Sequence, residues 1–485
     1  MARLRHGVFL PLALLLVGPA PLLGSQPVAA QANHQETARE PQLRVLLVEG
    51  PSVTLASLTA AGLRLRDRQG RQLLELAGTQ PLQLRLRDGW LELRPAPLPS
   101  PPLPSTALVP SGSAAPTTPL LAAPELWIEP VARAAEDAGL ALQQRRYRGR
   151  LQVIATGSGL QVINHVPLET YLSSVVGSEM PASWPQQALR AQAVAARTYA
   201  LKGRRPAAAF DLKSTVASQV YRGIEAETPS TREAVASTRG LVLAYGRELI
   251  DAVFHSSSGG STAGSGELWP QQLPYLVSVP DFDQDSPVHQ WRQPLAPELL
   301  AKAFAEIGGV RSIEVVASTA SGRVRQVRVV GPAGQLLLSG PALRSRLGLK
   351  STWVRFELEV PQGTVAAEPA VALPPAPPPL LPAFSLPSGA FSADAAPAPA
   401  PLPLPQWVAV GRGFGHGIGM SQWGALAMAR RGTSFDAILS HYYRGTRVMP
   451  YRELAVAAAP GPGSWRAQLR DGDAPVVAVG PRSKP

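Results

Sequence analysis

Proline divides this sequence into blocks that can build a core and stretches that cannot. Residues 95–124 hold ten prolines and no charged side chain, and residues 361–405 hold fourteen, with only Glu368 and Asp394 charged. These two stretches contain 24 of the 51 prolines. Proline fixes φ and lacks a backbone N–H, so such stretches favour extended, polyproline-like conformations. We expect linkers or surface loops there and folded structure elsewhere.

The remaining blocks are long and apolar enough for a sizeable core, since 45% of the 485 residues are hydrophobic. The absence of cysteine excludes a disulfide scaffold, a thiol nucleophile, an iron–sulfur centre and a zinc site with sulfur ligands. The formal net charge of +12 fits a polyanionic partner, such as nucleic acid, membrane headgroups or an acidic wall polymer. It equally fits an arginine-rich composition without functional meaning.

The first 32 residues have the pattern of an export signal. Arg3 and Arg5 precede the apolar stretch Val8–Val17, and Ala30-Gln31-Ala32 supplies the small residues that a signal peptidase reads. An uncleaved membrane anchor is the alternative interpretation, although the apolar stretch is too short to span a bilayer stably. We therefore expect an exported protein of the periplasm or cell envelope, without a stable membrane span after cleavage. Export also disfavours chromosomal DNA as a partner.

Hydrophobic periodicity predicts an α+β fold of mixed hairpins and helices. Residues 43–94 alternate apolar and polar types, as half-buried strands do, and form either a separate module or an early part of the main fold. Thr156-Gly-Ser-Gly159 between two apolar runs predicts a hairpin, and further hairpins are expected near 241–254 and 312–339. Apolar residues at helical spacing from Leu168 to Val176 predict one helix face.

A second helix is predicted to run to about Lys202. Ser183 followed by Gln186 fits a capping box, and Pro185 suits a first helical turn. The predicted helix is rich in alanine, which would allow another element to approach its backbone closely.

Glu179 is the first candidate for chemistry. It lies in Gly177-Ser-Glu-Met-Pro181, between the two predicted helices, where Pro181 forces a break. A carboxyl half-desolvated beside Met180 and Trp184 would have a raised pKa and could serve as a general acid. The alternative is a solvated glutamate at a helix end.

His255-Ser-Ser-Ser-Gly-Gly260 follows a predicted strand, a layout that exposes backbone amides and hydroxyls. A serine hydrolase is disfavoured because there is no G-x-S-x-G elbow and no assignable partner acid. A tight polar turn is the structural alternative.

Gly411-Arg-Gly-Phe-Gly-His-Gly-Ile-Gly419 places glycine at every second position and leads into Met420–Ala425. The spacing does not fit the dinucleotide pattern G-x-G-x-x-G, and no lysine suits a phosphate loop. Glycines beside His416, Gln422 and Trp423 suit sugar, because tryptophan stacks on a ring and polar groups bond its hydroxyls. The alternative is a structural glycine turn before a helix at 421–431.

Metal binding has little support in the sequence. The histidines show no H-E-x-x-H or comparable spacing. Asp281, Asp283 and Asp285 alternate, but the glycine that a calcium loop requires is absent, so we expect a solvated loop. No metal and no cofactor are predicted.

Several blocks in order resemble the stage II sporulation protein D family, which also contains the amidase enhancers. The matching stretches are Val166–Leu172, Gly177–Pro185, Ala188–Tyr199, Phe254–Gly260, Trp269, Leu273–Leu276, Leu343–Arg344, Leu347–Leu349 and Gly413–Ala425.

The resemblance implies a peptidoglycan lytic transglycosylase that cleaves between N-acetylmuramic acid and N-acetylglucosamine and forms a 1,6-anhydro ring. It implies that Glu179 is the catalytic glutamate. It also implies a glycan groove lined by Arg197, Tyr199, His255, Ser257, His416, Gln422 and Trp423. One branch of the family has a zinc site built with cysteines, which this chain lacks.

The implied organisation is as follows: signal peptide 1–32, small strand-rich region 33–94, linker 95–124, catalytic domain 126–455 with the insertion 361–405, and disordered tail 456–485. The final glycine block is expected to fold back beside Glu179. The implied partners are peptidoglycan glycan strands and, for a non-catalytic wall-binding alternative, a cell-wall amidase. A nucleic-acid binder is a distant third hypothesis, and we expect no nucleic acid as partner.

Overall fold

The computed structural model describes residues 40–96, 119–131, 139–359, 405–454 and 477–479. The predicted signal peptide, most of both proline-rich stretches and most of the predicted tail lie outside these residues. Within this part of the chain, no helix is both long and apolar enough to cross a membrane.

The described residues form both helices and strands, which confirms the predicted α+β class. The strands are β1 (Gln42–Gly50), β2 (Ser52–Ser57), β3 (Leu63–Arg66), β4 (Gln72–Leu76), β5 (Leu82–Arg87), β6 (Trp90–Pro95), β7 (Leu121–Ala123), β8 (Glu125–Pro130), β9 (Leu140–Leu142), β10 (Arg145–Tyr147), β11 (Arg150–Thr156), β12 (Gly159–Pro167), β13 (Leu212–Lys213), β14 (Leu241–Tyr245), β15 (Glu248–Leu249), β16 (Phe254–His255), β17 (Gln290–Leu295), β18 (Ser312–Ser318), β19 (Val324–Gly331), β20 (Gly334–Ser339), β21 (Val354–Glu359), β22 (Gln406–Arg412), β23 (Met420–Ser421), β24 (Arg447–Pro450) and β25 (Val477–Val479). The α-helices are α1 (Leu168–Glu179), α2 (Gln186–Lys202), α3 (Pro229–Ser237), α4 (Ser265–Leu268), α5 (Pro297–Ala303), α6 (Gly340–Leu347), α7 (Gln422–Arg430) and α8 (Phe435–Tyr442).

Two sheets organise the N-terminal half. The larger has the strand order β13-β1-β12-β11-β8-β3-β4, and the smaller has the order β10-β9-β2-β5-β6-β7. Thr156 pairs with Gly159, which confirms the predicted hairpin between β11 and β12. Strand β1 pairs antiparallel with β12 from Gln42 opposite Pro167 onward. Residues near 43–94 therefore share their sheets with strands of the following block.

Helix α1 contacts β1 and β12 of the larger sheet, and α1 and α2 pack together in the larger core. The alanines of α2 from Ala188 to Ala200 are mostly fully buried, and the helix contacts α1, α3, α7, α8 and β14. The predicted end near Lys202 is confirmed, but the predicted capping box is wrong. Pro185 occupies the N-cap position and no side chain caps the helix, so Ser183 lies outside it.

The described residues from β17 to β22 along the chain form a second core. Strands β17, β22 and β21 form one sheet, and β18, β19, β20 and β25 form another, with α5 and α6 packed beside them. The chain leaves this core after β22 through the glycine-rich block and returns to the first core as β23 and α7. Met420 and Ser421 pair there in parallel with Phe254 and His255. This crossing places the glycine-rich block at the candidate site.

Candidate functional site

Glu179 is the last residue of α1, and its carboxylate is held from two directions. Met180 is extended, so the helix ends where Pro181 predicts it should. The backbone N–H of Val220 donates to Oε1 at 2.9 Å. The Nε2 of Gln422, from the glycine-rich block, donates to Oε2 at 3.3 Å. Residues distant in sequence therefore meet at this one carboxyl group.

The surroundings of Glu179 favour its protonated form. Burial removes water from the carboxyl group and raises its pKa above the ordinary value. The hydrogen bonds from Val220 and Gln422 and the nearby charge of Arg222 act in the opposite direction, but desolvation is the largest effect. A carboxyl group in this state keeps a proton closer to neutral pH than a solvated glutamate does.

Aromatic side chains gather around the same elements. Trp423, next to Gln422, packs edge to face on Trp184 with ring centres 5.3 Å apart. The backbone N–H of Trp423 donates to Ser256 at 3.0 Å, which ties α7 to the strand that carries His255. Tyr199 packs on Phe254 at 6.4 Å. The rings of Trp184, Trp423 and Tyr199 are only partly buried, which leaves apolar surface near the carboxyl group.

His416 is fixed by hydrogen bonds at both ring nitrogens. Its Nδ1 accepts the N–H of Ile418 at 3.1 Å, and its Nε2 lies 3.0 Å from the carbonyl of Phe254. A carbonyl only accepts, so the ring is neutral with its proton on Nε2. Burial and nearby arginines lower the pKa of His416 to about 4. This histidine fastens the glycine-rich block to β16.

His255 has one ring nitrogen left over. Its Nδ1 lies 3.2 Å from the carbonyl of Ile418 and must donate to it, so Nε2 carries a lone pair. That Nε2 is buried and finds no hydrogen-bond partner within the described residues. Burial lowers the pKa of His255 well below its ordinary value, so the ring is neutral. The residue is 5% exposed, so it lies beneath the surface of the candidate site.

Ser257 belongs to a buried polar network. Its hydroxyl donates to Asp283, whose Oδ2 also accepts the N–H of Gly259 at 2.7 Å. Asp283 also contacts the Nδ1 of His289 at 3.0 Å. Asp283 has 0% exposure and Ser257 has 2%, so this pair holds the turn in place from inside.

The expectation of a solvated loop at the three alternating aspartates is wrong for two of them. Asp281 is 3% exposed and accepts from the hydroxyls of Tyr442, at 2.6 Å, and of Ser258. Asp283 is buried as described above, and only Asp285 is exposed. The physical reason is that hydroxyl donors far along the chain replace water around these carboxylates.

Arg197 lies in the core and not at a surface groove. Its side chain has 0% exposure and donates to both carboxylate oxygens of Glu169, at 2.9 and 2.6 Å. It also donates to the carbonyls of Leu241 and Val235. These bonds tie α2 to α1, α3 and β14.

The structure thus brings together Glu179, Gln422, Trp423, His416 and Tyr199, and it places His255, Ser257 and Arg197 beneath the surface. Sequence reasoning missed Val220 and Arg222, which lie at the carboxyl group of Glu179 although 41 residues separate Val220 from it. No local pattern marks a backbone amide as a partner. Among the described residues, no three His, Cys, Asp or Glu side chains converge as a metal site would require.

Comparison with known proteins identifies one matching family model and several similar proteins. Residues 156–245 match the family model described as SpoIID, stage II sporulation protein. The stage II sporulation protein D of Bacillus subtilis is 29% identical over 307 residues, 59% of this chain and 76% of that protein. Its counterpart in Bacillus amyloliquefaciens is 29% identical over 306 residues, 59% of this chain and 75% of that protein.

A further relative has a different name. The amidase enhancer of Bacillus subtilis is 30% identical over 297 residues, which is 58% of this chain but 40% of that protein. The segment that matches the family model includes Glu179 and its hydrogen-bond partner Val220. Residues 156–245 therefore match the stage II sporulation protein D family, and the chain is similar to two stage II sporulation D proteins over about three quarters of their length.

Proposed function

We propose that this protein is an exported peptidoglycan lytic transglycosylase with Glu179 as its catalytic acid and base. It cleaves the bond between N-acetylmuramic acid and N-acetylglucosamine and leaves a 1,6-anhydro-muramic end. The observation that carries the proposal is the partly buried Glu179 carboxyl group, whose raised pKa and neutral hydrogen-bond partners suit a proton donor.

The reaction has two proton transfers. In the first, protonated Glu179 gives its proton to the glycosidic oxygen as the bond to the anomeric carbon breaks. In the second, the Glu179 carboxylate takes the proton of the muramic C6 hydroxyl, whose oxygen bonds to the anomeric carbon. Because that internal hydroxyl replaces water, one carboxylate serves both steps, whereas a hydrolase would need two carboxylates about 5–10 Å apart.

The two carboxylate oxygens of Glu179 differ in the hydrogen bonds that they accept. The short bond from Val220 favours negative charge on Oε1 and fixes the orientation of the group. The bond from Gln422 to Oε2 is long at 3.3 Å and belongs to a side chain that can rotate. We therefore assign the transferred proton to Oε2.

A second candidate function is a non-catalytic wall-binding protein that stimulates an amidase. It is favoured by the similarity to the amidase enhancer and by the fact that both Glu179 oxygens already have partners within the chain. In that case Glu179 would join α1 to α7, and the aromatic surface would only hold the glycan. Both functions place the protein in the periplasm or cell envelope, in line with the predicted export signal.

The two functions are separated by one experiment on purified full-length protein. Wild type, Glu179→Gln and the control Glu233→Gln, which alters a largely exposed carboxylate, are incubated with glycan strands. Mass spectrometry then searches for anhydro-muramic ends, and a pelleting assay measures binding. The proposal requires such ends with wild type and Glu233→Gln, and their loss with Glu179→Gln while pelleting persists. If all three variants pellet with intact strands, the protein is a binder and not a lytic enzyme.

A further inference from the structure

A second cleft lies on the smaller core, at the start of the glycine-rich block. Its volume is about 890 Å³, which falls within the range of small-ligand pockets. Two tryptophans, Trp291 and Trp353, and three arginines, Arg292, Arg355 and Arg412, stand among its lining residues. Neither the catalytic proposal nor the family resemblance assigns it a role.

The three arginines of this cleft differ in whether a carboxylate is already paired with them. Arg292 pairs with Glu357 and Glu359, and Arg355 pairs with Glu357 at 2.9 Å. Arg412 is exposed and has no carboxylate partner within the described ranges. The cleft thus offers one uncompensated guanidinium, which suits a ligand with isolated carboxylates better than a densely charged polymer.

The backbone of Arg412 is anchored on three sides. Its N–H donates to the carbonyl of Trp353 at 2.9 Å, and its carbonyl accepts the hydroxyl of Ser351 at 2.6 Å. It also pairs with Gln290 in the sheet. At Gly259 a side chain would meet the Cβ of Arg412 at 2.6 Å, so these two segments approach as closely as glycine permits. The Cα of this arginine is therefore held rigidly.

Trp353 orients the guanidinium. The guanidinium carbon of Arg412 lies 5.4 Å from the centre of the Trp353 ring, within the range of a cation–π interaction. That interaction leaves the N–H groups unused, and a planar guanidinium binds a carboxylate through two parallel hydrogen bonds. A preoriented arginine loses less entropy on binding than a free one.

The glycine-rich block connects this cleft to Glu179. Gly411 lies against Trp291, since a Cβ there would be 2.2 Å from the indole ring. The indole N–H of Trp291 donates to Gly413 at 2.8 Å. Nine residues beyond Gly413, Gln422 donates to Glu179. One segment therefore contributes to both the cleft and the candidate active site.

We propose that this cleft binds a carboxylate-bearing part of the cell-wall glycan, the lactyl-peptide arm of a muropeptide, with Arg412 as the carboxylate ligand. This inference rests on the proposed substrate class, peptidoglycan, but not on Glu179 being catalytic. The tryptophans contact the apolar parts of the ligand, and the paired arginines and glutamates bond its hydroxyl and amide groups.

The test is a binding titration of the full-length protein with muramyl dipeptide, which carries one free carboxylate. The matched ligands are the same molecule with that carboxylate amidated and neutral chitotetraose. The protein variants are Arg412→Gln, Arg412→Lys and the exposed control Arg325→Gln. Thermal unfolding of each variant checks that the fold is intact.

We expect saturable binding of muramyl dipeptide to wild type, about tenfold weaker binding to Arg412→Gln and an intermediate loss for Arg412→Lys. Amidation of the ligand should weaken its binding to wild type by the same factor. It should not weaken the binding to Arg412→Gln any further. Arg325→Gln should bind as wild type does. Equal affinity of wild type and Arg412→Gln, or equal affinity of the free and amidated ligands, overturns the assignment. Absence of glycan cleavage by wild type would refute the catalytic proposal and leave this result standing.

Discussion

The buried ion pair between Arg197 and Glu169 gives the sharpest prediction about the fold. The variant Arg197→Met keeps the apolar stem but removes both bonds to the Glu169 carboxylate and the bonds to two backbone carbonyls. It leaves the Glu169 side chain, 10% exposed, without its cation. An uncompensated buried charge of this kind costs about 3–5 kcal/mol of unfolding free energy. For a protein of ordinary stability, about 5–15 kcal/mol, that is a large share.

Urea unfolding followed by tryptophan fluorescence measures the loss. The control Arg190→Met removes an arginine of the same helix whose ion pair, at 3.7 Å from Glu233, is loose and partly exposed. That control should change stability by less than about 1 kcal/mol. The double variant Arg197→Met with Glu169→Leu removes both charges and should recover most of the loss, because apolar replacement of a buried pair is often neutral.

Two results would refute this reasoning. One is an Arg197→Met variant that loses less than about 1 kcal/mol, which would mean that the pair is solvated. The other is an Arg197→Met variant of normal stability that no longer binds glycan strands. That result would mean that Arg197 contacts the glycan, as the family resemblance implies.

Three further predictions concern protonation and packing. Because the pKa of His416 is about 4 in the folded protein and 6.5 ordinarily, the unfolded chain binds more protons between these values. The contribution of His416 to stability should therefore be complete above pH 6.5 and fall by roughly 3 kcal/mol as the pH drops to 4. The difference between the urea midpoints of wild type and His416→Gln at several pH values checks this, because the other titrating groups are common to both proteins. Arg222→Gln removes a charge that lowers the pKa of Glu179, so the upper limb of a pH–activity profile should move to higher pH, by a fraction of a unit because Arg222 is exposed. A downward shift would contradict the assignment of Glu179 as the acid. Gly424→Ala places a Cβ 1.8 Å from the Asp281 carboxylate, and calorimetry should register a loss of about 1–3 kcal/mol, whereas an unchanged melting temperature would show that the network yields freely.

Local periodicity predicted the parts of the fold that depend on neighbours in sequence. The hairpin at Thr156–Gly159 and the helix from Leu168 were predicted because alternation and helical spacing report which side of an element is buried. The capping box failed on a similarly local pattern. Pro185 takes the N-cap position and leaves Ser183 outside the helix, which the spacing of serine and glutamine alone does not reveal.

The features that the sequence did not predict are those that depend on contacts between residues far apart along the chain. Alternating aspartates look like a solvated loop until Tyr442, 161 residues away, supplies a hydroxyl to Asp281. The amide of Val220 at Glu179 is equally invisible, because every residue except proline carries the same backbone donor. The contact between Gln422 and Glu179 could be anticipated only from the family resemblance, since 243 residues separate them.

Helix α1 contains two glutamates in contrasting environments, and the contrast bears on function. Glu169 receives two bonds from a fully buried arginine, which is how a structural carboxylate is compensated. Glu179, also partly buried, has no ion pair within the described part of the chain and receives one backbone amide and one long bond from an amide side chain. A site under selection for stability alone would gain from a cation or an apolar residue at that position. An incompletely compensated carboxyl group beside partly exposed aromatic rings instead keeps a proton available, which is the condition that glycan cleavage requires and that glycan binding alone does not.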